Sequence, residues 1–260
     1  MAKTAEPAPL LTLSRVQVRF GGVLALARVS FGVREGTITA LIGPNGAGKT
    51  TAINVISGIY RPTSGEVEFG GRSLNGLPAH RVAGLGLART FQNLQVFGNM
   101  TVLENVMVGC HLRSRAGFGR SMFRLGTKVE EDRVREEAQE ALEMFGLAPR
   151  AGLLSAGLSY GQMKRIEMAR AFVSRPRLLL LDEPVAGLNP AETEEMAGLI
   201  SRIRDKGISI LLVEHDMSLV MSISDEVVVL NYGQKIAQGP PARVQNDPEV
   251  ISAYLGEESY

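Results

Sequence analysis

The stretch Thr37-Ile38-Thr39-Ala40-Leu41-Ile42-Gly43-Pro44-Asn45-Gly46-Ala47-Gly48-Lys49-Thr50-Thr51 decides the reading of this chain. Thr37 to Ile42 is a mostly apolar run that enters a glycine-rich loop, and Lys49 to Ser57 reads as a helix stopped by Gly58. Gly43 to Thr50 satisfies the phosphate-loop pattern in the strand-to-helix context that the pattern requires. Its glycines let the backbone curl so that N–H groups point inward, at the positive end of the following helix. The expected contacts are Gly43, Pro44, Asn45, Gly46, Ala47, Gly48, Lys49, Thr50 and Thr51. Lys49 should reach the β- and γ-phosphates of a nucleotide, and the Thr50 hydroxyl should ligate Mg²⁺.

Two further apolar runs carry chemistry at their ends. Leu178 to Leu181 leads into Asp182-Glu183, two carboxylates directly after a buried strand, where ligands gather in open α/β sheets. Asp182 suits the Mg²⁺ shell through water, and Glu183, pointing differently, suits a general base for the attacking water. Ile208 to Val213 is followed by Glu214-His215-Asp216. A lone histidine is usually an ordinary surface or core residue. At the end of the strand after the carboxylate strand, His215 is also placed to contact the γ-phosphate and to orient Glu183 or the water.

The remaining pattern supplies the frame. Leu11, Leu13, Val16 and Val18, then Val29, Phe31 and Val33, read as strands that end at Glu35-Gly36. Beyond Gln92 the periodicity becomes helical: Leu103, Val106, Met107 and Cys110 follow a Thr101/Glu104 capping box, and Val134, Ala138, Ala141 and Phe145 share one face of a second helix. Ser159 and Gln162 are spaced as a capping box opening a third helix that reaches about Ser174. Leu158-Ser159-Tyr160-Gly161-Gln162 is satisfied by that cap alone, yet a helix N-terminus with a serine hydroxyl and a glycine is also an anion site. Asp225 to Leu230 and Gln234 to Ala237 flank an Asn-Tyr-Gly turn as a hairpin, and Asp247-Pro248 begins a last short helix.

Composition narrows the classes. The 260 residues are 45% hydrophobic, enough for a large core, and 28 Lys and Arg against 27 Asp and Glu give no global charge that favours nucleic acid. Cys110 is the single cysteine and forms no internal disulfide. No apolar h-region follows Lys3, so no signal peptide is expected, and no apolar run approaches the ~18–20 residues of a membrane span. Work at a membrane would therefore proceed through other chains.

With these motifs together, the chain resembles the ABC ATPase family over nearly all of Leu11 to Leu255. The resemblance implies an α/β fold: a P-loop, RecA-like core with an antiparallel β-subdomain (11–92 and 176–245), a helical signature subdomain (93–175) and a tail (246–260). It implies a head-to-tail dimer sandwiching two ATP molecules with Mg²⁺, each bound by the phosphate loop of one subunit and by Ser159, Gly161 and Gln162 of the other. By family pattern, Phe20 stacks on adenine, and Gln92 touches Mg²⁺ and the water while sensing the membrane partner. Tyr160 departs from the glycine of most members, and Asn189 replaces the commoner aspartate of Ala186-Gly187-Leu188-Asn189.

Arg89-Thr90-Phe91-Gln92, the Asn189-Pro190 ending, Glu214-His215-Asp216-Met217 and the tail Ala253 to Glu257 are similar to the ATP-binding subunits of branched-chain amino acid importers. His111 to Glu130 is similar to an insertion of that branch; its Arg113, Arg115, Arg120, Arg124 and Lys128 face either acidic lipid headgroups or solvent. That resemblance implies integral membrane permease subunits, a second identical or related ATPase subunit and a solute-binding protein as partners. It implies a peripheral location at the cytoplasmic face of the inner membrane. The alternatives are the ATPase of another ABC system, such as lipopolysaccharide export, or a soluble ABC ATPase; the tandem cassettes or long coiled coils of the soluble group are absent from this sequence.

Overall fold

Three strands, β3 (Ile38–Ile42), β7 (Leu178–Asp182) and β8 (Ser209–Val213), are buried at every position, as parallel strands covered on both faces must be. The computed structural model describes residues 8–90, 94–112 and 127–255. In chain order, β1 (Leu11–Phe20) and β2 (Val23–Val33) precede β3, which is followed by α1 (Lys49–Ile56), β4 (Ser64–Phe69), β5 (Arg72–Ser73), α2 (Ala79–Gly84) and β6 (Leu87–Arg89). Helices α3 (Val102–Met107), α4 (Thr127–Met144) and α5 (Tyr160–Val173) come next, before β7, α6 (Pro190–Asp205) and β8. Helix α7 (Met217–Ile223), β9 (Glu226–Asn231), β10 (Gln234–Gly239), α8 (Pro241–Val244) and α9 (Pro248–Leu255) complete the described chain.

The central sheet has the order β10-β9-β3-β8-β7-β6, parallel except for β10. Its register sets the site: Leu41 lies opposite Val213, and Val213 opposite Asp182, so the chain leaves β3, β8 and β7 along one edge. A separate antiparallel sheet, β2-β1-β4-β5, packs with α1 against one face. The period of two sends Leu178 and Leu180 into that core, while Leu179 and Leu181 enter the core made with α3, α5 and α6. Each such leucine contributes roughly 1.5–3 kcal/mol relative to exposure.

Both expected capping boxes form. Thr101 and Glu104 bond reciprocally at the start of α3, and Ser159 and Gln162 do so at the start of α5. Buried Asn105 ties the preceding loop to this bundle by donating to the carbonyls of Phe97 and Thr101 and to Ser155 Oγ. Val106, Cys110, Ala138, Ala141 and Phe145 join the same core. The segment 113–126, with the arginines of the insertion, lies outside the described residues.

β3 ends where a side chain has no room. Gly43 has φ +147°, and a Cβ there would overlap the Leu230 carbonyl oxygen of β9. Gly36 also has positive φ, +69°, but a Cβ there meets nothing within 4 Å. Gly36→Ala is therefore expected to lose about 1–2 kcal/mol from conformation alone. Gly43→Ala should lose clearly more, as steric overlap adds to roughly 1–3 kcal/mol of strain. Urea midpoints of the nucleotide-free variants make the comparison; equal losses would show that Leu230 simply yields.

Candidate active site

The loop after β3 and the residue after β7 meet around one cavity of about 460 Å³. Asn45 to Thr51 line one side, Glu183 another, and Val23, Leu24, Ala25, Tyr232 and Gly233 complete the wall. The loop is braced from two directions. Gly233 N–H donates to the Ala47 carbonyl at 3.0 Å, and Ala27 N–H donates to the Gly233 carbonyl at 2.7 Å. A Cβ on Gly48 would come within 2.7 Å of the Ala25 carbonyl, so only glycine, here at φ +103°, lets α1 begin at this point. The Lys49 ammonium donates to the carbonyls of Gly43 and Pro44, folded over its own loop. An anion seated there would exchange carbonyl partners for phosphate oxygens.

Glu183 occupies the left-handed region at φ +50°, uncommon for a residue with a side chain. Its N–H donates to the Val213 carbonyl at 2.9 Å, and its carbonyl accepts from Lys164 Nζ at 3.0 Å. Two residues on, Val185 N–H donates to Glu214 Oε1 at 3.0 Å. Glu214 is fully buried and also accepts from the His215 N–H at 3.1 Å. Burial pushes its carboxyl above the ordinary value, while the N–H groups of Val185, His215 and Asp216 and the nearby imidazole pull it back. His215 itself is largely exposed beside this turn, with Nδ1 3.7 Å from Glu214 Oε2.

Asp182 is nearly buried and ion-paired: its Oδ2 accepts from Arg89 at 2.9 Å. The other arm of Arg89 donates to Asn54 Oδ1 at 2.7 Å and Ser57 Oγ at 3.1 Å, joining the end of α1 to the end of β7. A hydroxyl at Thr50 and a carboxylate at Asp182 are the hard oxygen donors that Mg²⁺ takes, usually together with phosphate and water. The two fit that ion in chemistry.

Other expected residues stand elsewhere. Phe20 is half exposed at the end of β1, its ring edge-on to Tyr60 at 5.2 Å between centroids. None of Ser159, Gly161 and Gln162 lines the cavity. Gly161 instead faces the Glu192 carboxylate and Leu188, and the Tyr160 ring lies over Gly187. Asn189 caps α6: its Oδ1 accepts from Glu192 N–H at 3.0 Å, and Glu192 answers from the Asn189 N–H at 3.1 Å. Gln92 lies outside the described residues.

Residues 26–186 match the family described as ABC transporter. The chain belongs to the ABC transporter family. Residues 234–260 match a second family, the branched-chain amino acid ATP-binding cassette transporter. This ABC chain is 44% identical over 251 residues to the high-affinity branched-chain amino acid transport ATP-binding protein BraF of Pseudomonas aeruginosa, covering 96% of this chain and 98% of that one. It is 42% identical to the LivG protein of Escherichia coli K12 with the same coverage. Among solved structures, it resembles the ADP conformation of an ABC transporter cassette, with TM-score 0.84 and 33% identity over 96% of this chain and 99% of that one. A dimeric cassette in a post-hydrolysis state with ADP and Pi is similar at TM-score 0.75 and 25% identity, covering 89% and 98% of the two chains.

Arg89, Lys164 and Glu214 were not singled out as site residues by their sequence positions. Glu214 carried the clearest signal, a charge directly after an almost wholly apolar run, as at Asp182. Removing Arg89 would leave Asp182 buried without its cation. Arg89→Ala is therefore expected to lower the stability of the nucleotide-free chain by about 3–5 kcal/mol. Adding Asp182→Asn should recover more than half of it, read from denaturation midpoints. Absence of recovery would assign the loss to Asn54 and Ser57.

Proposed function

We propose that this chain is the ATP-hydrolysing subunit of an importer for branched-chain or other hydrophobic amino acids. The observation that carries the enzymatic part is the single cavity in which the phosphate-loop backbone, Lys49 and Glu183 converge. Gly43 and Asn45 to Gly48 supply N–H groups to the phosphates, Lys49 supplies fixed charge at the β- and γ-phosphates, and Phe20 supplies an aromatic face for adenine. Mg²⁺, held by Thr50, by Asp182 through water and by Gln92, would neutralise phosphate charge when bound. Glu183 takes the proton of the attacking water, and His215 orients Glu183 and the γ-phosphate. Ser159, Gly161 and Gln162 serve the ATP of a second ATPase subunit, which accounts for their place away from this chain's own cavity.

The amino-acid class is supported by the names of the relatives and by the match at the C-terminal end. No helix among the described residues is long and apolar enough to cross a membrane. Permease subunits would form the path and a solute-binding protein would deliver the amino acid, with this chain peripheral at the cytoplasmic face. The helical subdomain, 93–175, would turn relative to the core as the dimer closes on ATP and reopens after hydrolysis.

In the assembled transporter, Glu183→Gln should keep ATP binding and lower turnover by roughly 10²–10⁴-fold, with ATP-bound dimers accumulating. Loss of ATP binding in that variant would assign Glu183 a structural role. Uptake of leucine, isoleucine and valine, competed by one another and not by charged amino acids, is the expected specificity. Preference for a charged solute would overturn the substrate class.

The shared site has its own measurement. Lys49→Ala and Ser159→Arg, each damaging on its own, should retain ATP when mixed, because one of the two sites in a mixed dimer is intact. Carrying Glu183→Gln in both chains keeps the closed state long enough to measure. Failure to rescue, with Glu183→Gln controls retaining ATP, would overturn the identical-chain dimer.

A further inference from the structure

Two buried charged side chains with no part in the chemistry above both end on the turn that carries Glu183. Lys164 lies on α5, and only 3% of it is exposed; Glu214 follows β8 and has no exposed surface. Neither is placed to touch a nucleotide, since neither lines the cavity. Lys164 Nζ holds the Glu183 carbonyl, and Glu214 Oε1 holds the Val185 N–H. Between these two anchors stands Glu183 in the left-handed conformation, with Pro184 next to it.

A residue with a Cβ adopts that conformation only at a penalty, and it persists only where its surroundings over-determine it. The bond from Glu183 N–H to the Val213 carbonyl fixes the entry to the turn. It does not fix ψ of Glu183 or the direction in which the chain leaves. The Lys164 and Glu214 bonds do, together with a longer bond from the Ala186 N–H to the Glu183 carbonyl at 3.3 Å, because they grip the peptide groups on either side of Pro184, which has no N–H of its own. The Tyr160 ring, 5.6 Å from the Lys164 ammonium, covers that charge from the start of α5. An ammonium and a carboxylate are unfavourable to bury, and here each is used on the backbone of the same turn.

We propose that Lys164 and Glu214 are positioning residues: together they clamp the Glu183 turn and so aim its carboxylate into the phosphate-loop cavity. This rests on Glu183 being the general base. The clamp acts on the base and not on nucleotide affinity, so its loss should separate the two. Misplacing a reacting group by about 1 Å can reduce a rate by up to ~10²-fold.

The test uses full-length chains in the assembled transporter, at temperatures well below each variant's unfolding midpoint. Lys164→Met is expected to lower kcat by about 10–100-fold while KM for ATP stays within about threefold. ATP-retaining dimers should accumulate, as with Glu183→Gln. Lys164→Arg, which keeps a charged donor, should recover part of the loss. Glu214→Gln, equal in size, still accepts from one N–H but turns a donor toward the other; it should give the same split at smaller amplitude and keeps the test decisive if Lys164→Met does not fold.

Joining Lys164→Met to Glu183→Gln should leave the residual single-turnover rate within about twofold of Glu183→Gln alone, because the clamp has no base left to aim. A multiplied loss in the double variant, or a rise in KM with kcat unchanged, overturns the clamp. Wild-type turnover in both Lys164→Met and Glu214→Gln does so too. Failure of Glu183→Gln itself to slow hydrolysis is a separate result, and it removes the base assignment on which the clamp depends.

Discussion

The close approach of Gly43 to the Leu230 carbonyl is the constraint on which the rest of the site depends. β3 runs between β8 and β9, so the chain leaving it must turn directly beside a neighbouring strand. Only a residue without Cβ passes there. Once the turn is made, the hairpin after β9 bonds to Ala47, and β2 accepts the start of α1 at the one distance glycine permits. The amides of the loop are thus fixed without a ligand, and a phosphate seated there would need little reorganisation from them.

Along the same edge the protein buries several charges within a core of leucine, isoleucine and valine. Asp182 is met by Arg89, and Glu214 by backbone N–H groups. Lys164 is met by a backbone carbonyl beneath an aromatic ring. A buried charge without such partners would be unfavourable by several kcal/mol, so each fixes the groups around it more tightly than an apolar side chain of similar size would. The near-zero net charge of the whole chain conceals this, because electrostatic function here is local.

What was legible in the sequence was local in origin. The phosphate loop, the carboxylates after Leu181 and the capping boxes at Thr101 and Ser159 are all encoded within a few consecutive residues, and each takes the expected local form. Strands β5 and β6 and helix α8 are two to four residues long, too short for a period to emerge. Arg89, Lys164 and Glu214 act on partners 93, 19 and 29 positions away, and nothing in their own neighbourhoods announces those partners. Asn189, which stands where aspartate is commoner, caps α6 with its side chain, a role aspartate would fill equally well.

The place of α5 joins these threads. Its first residues carry Ser159 and Gly161, and little more than one turn later the same helix sends Lys164 to the carbonyl of Glu183. A helix is stiff over such a length, so displacement of its N-terminus is felt at Lys164 with little attenuation. If Ser159 and Gly161 grip the ATP of the neighbouring subunit, the helix that reports that contact also holds the turn bearing its own subunit's base. Tyr160 is then no arbitrary replacement for glycine: its ring bridges Gly187 and the Lys164 ammonium, adding a second contact between the signature and the segment that follows Glu183. On that reading, the two nucleotide sites of a dimer would be coupled through α5 of each chain.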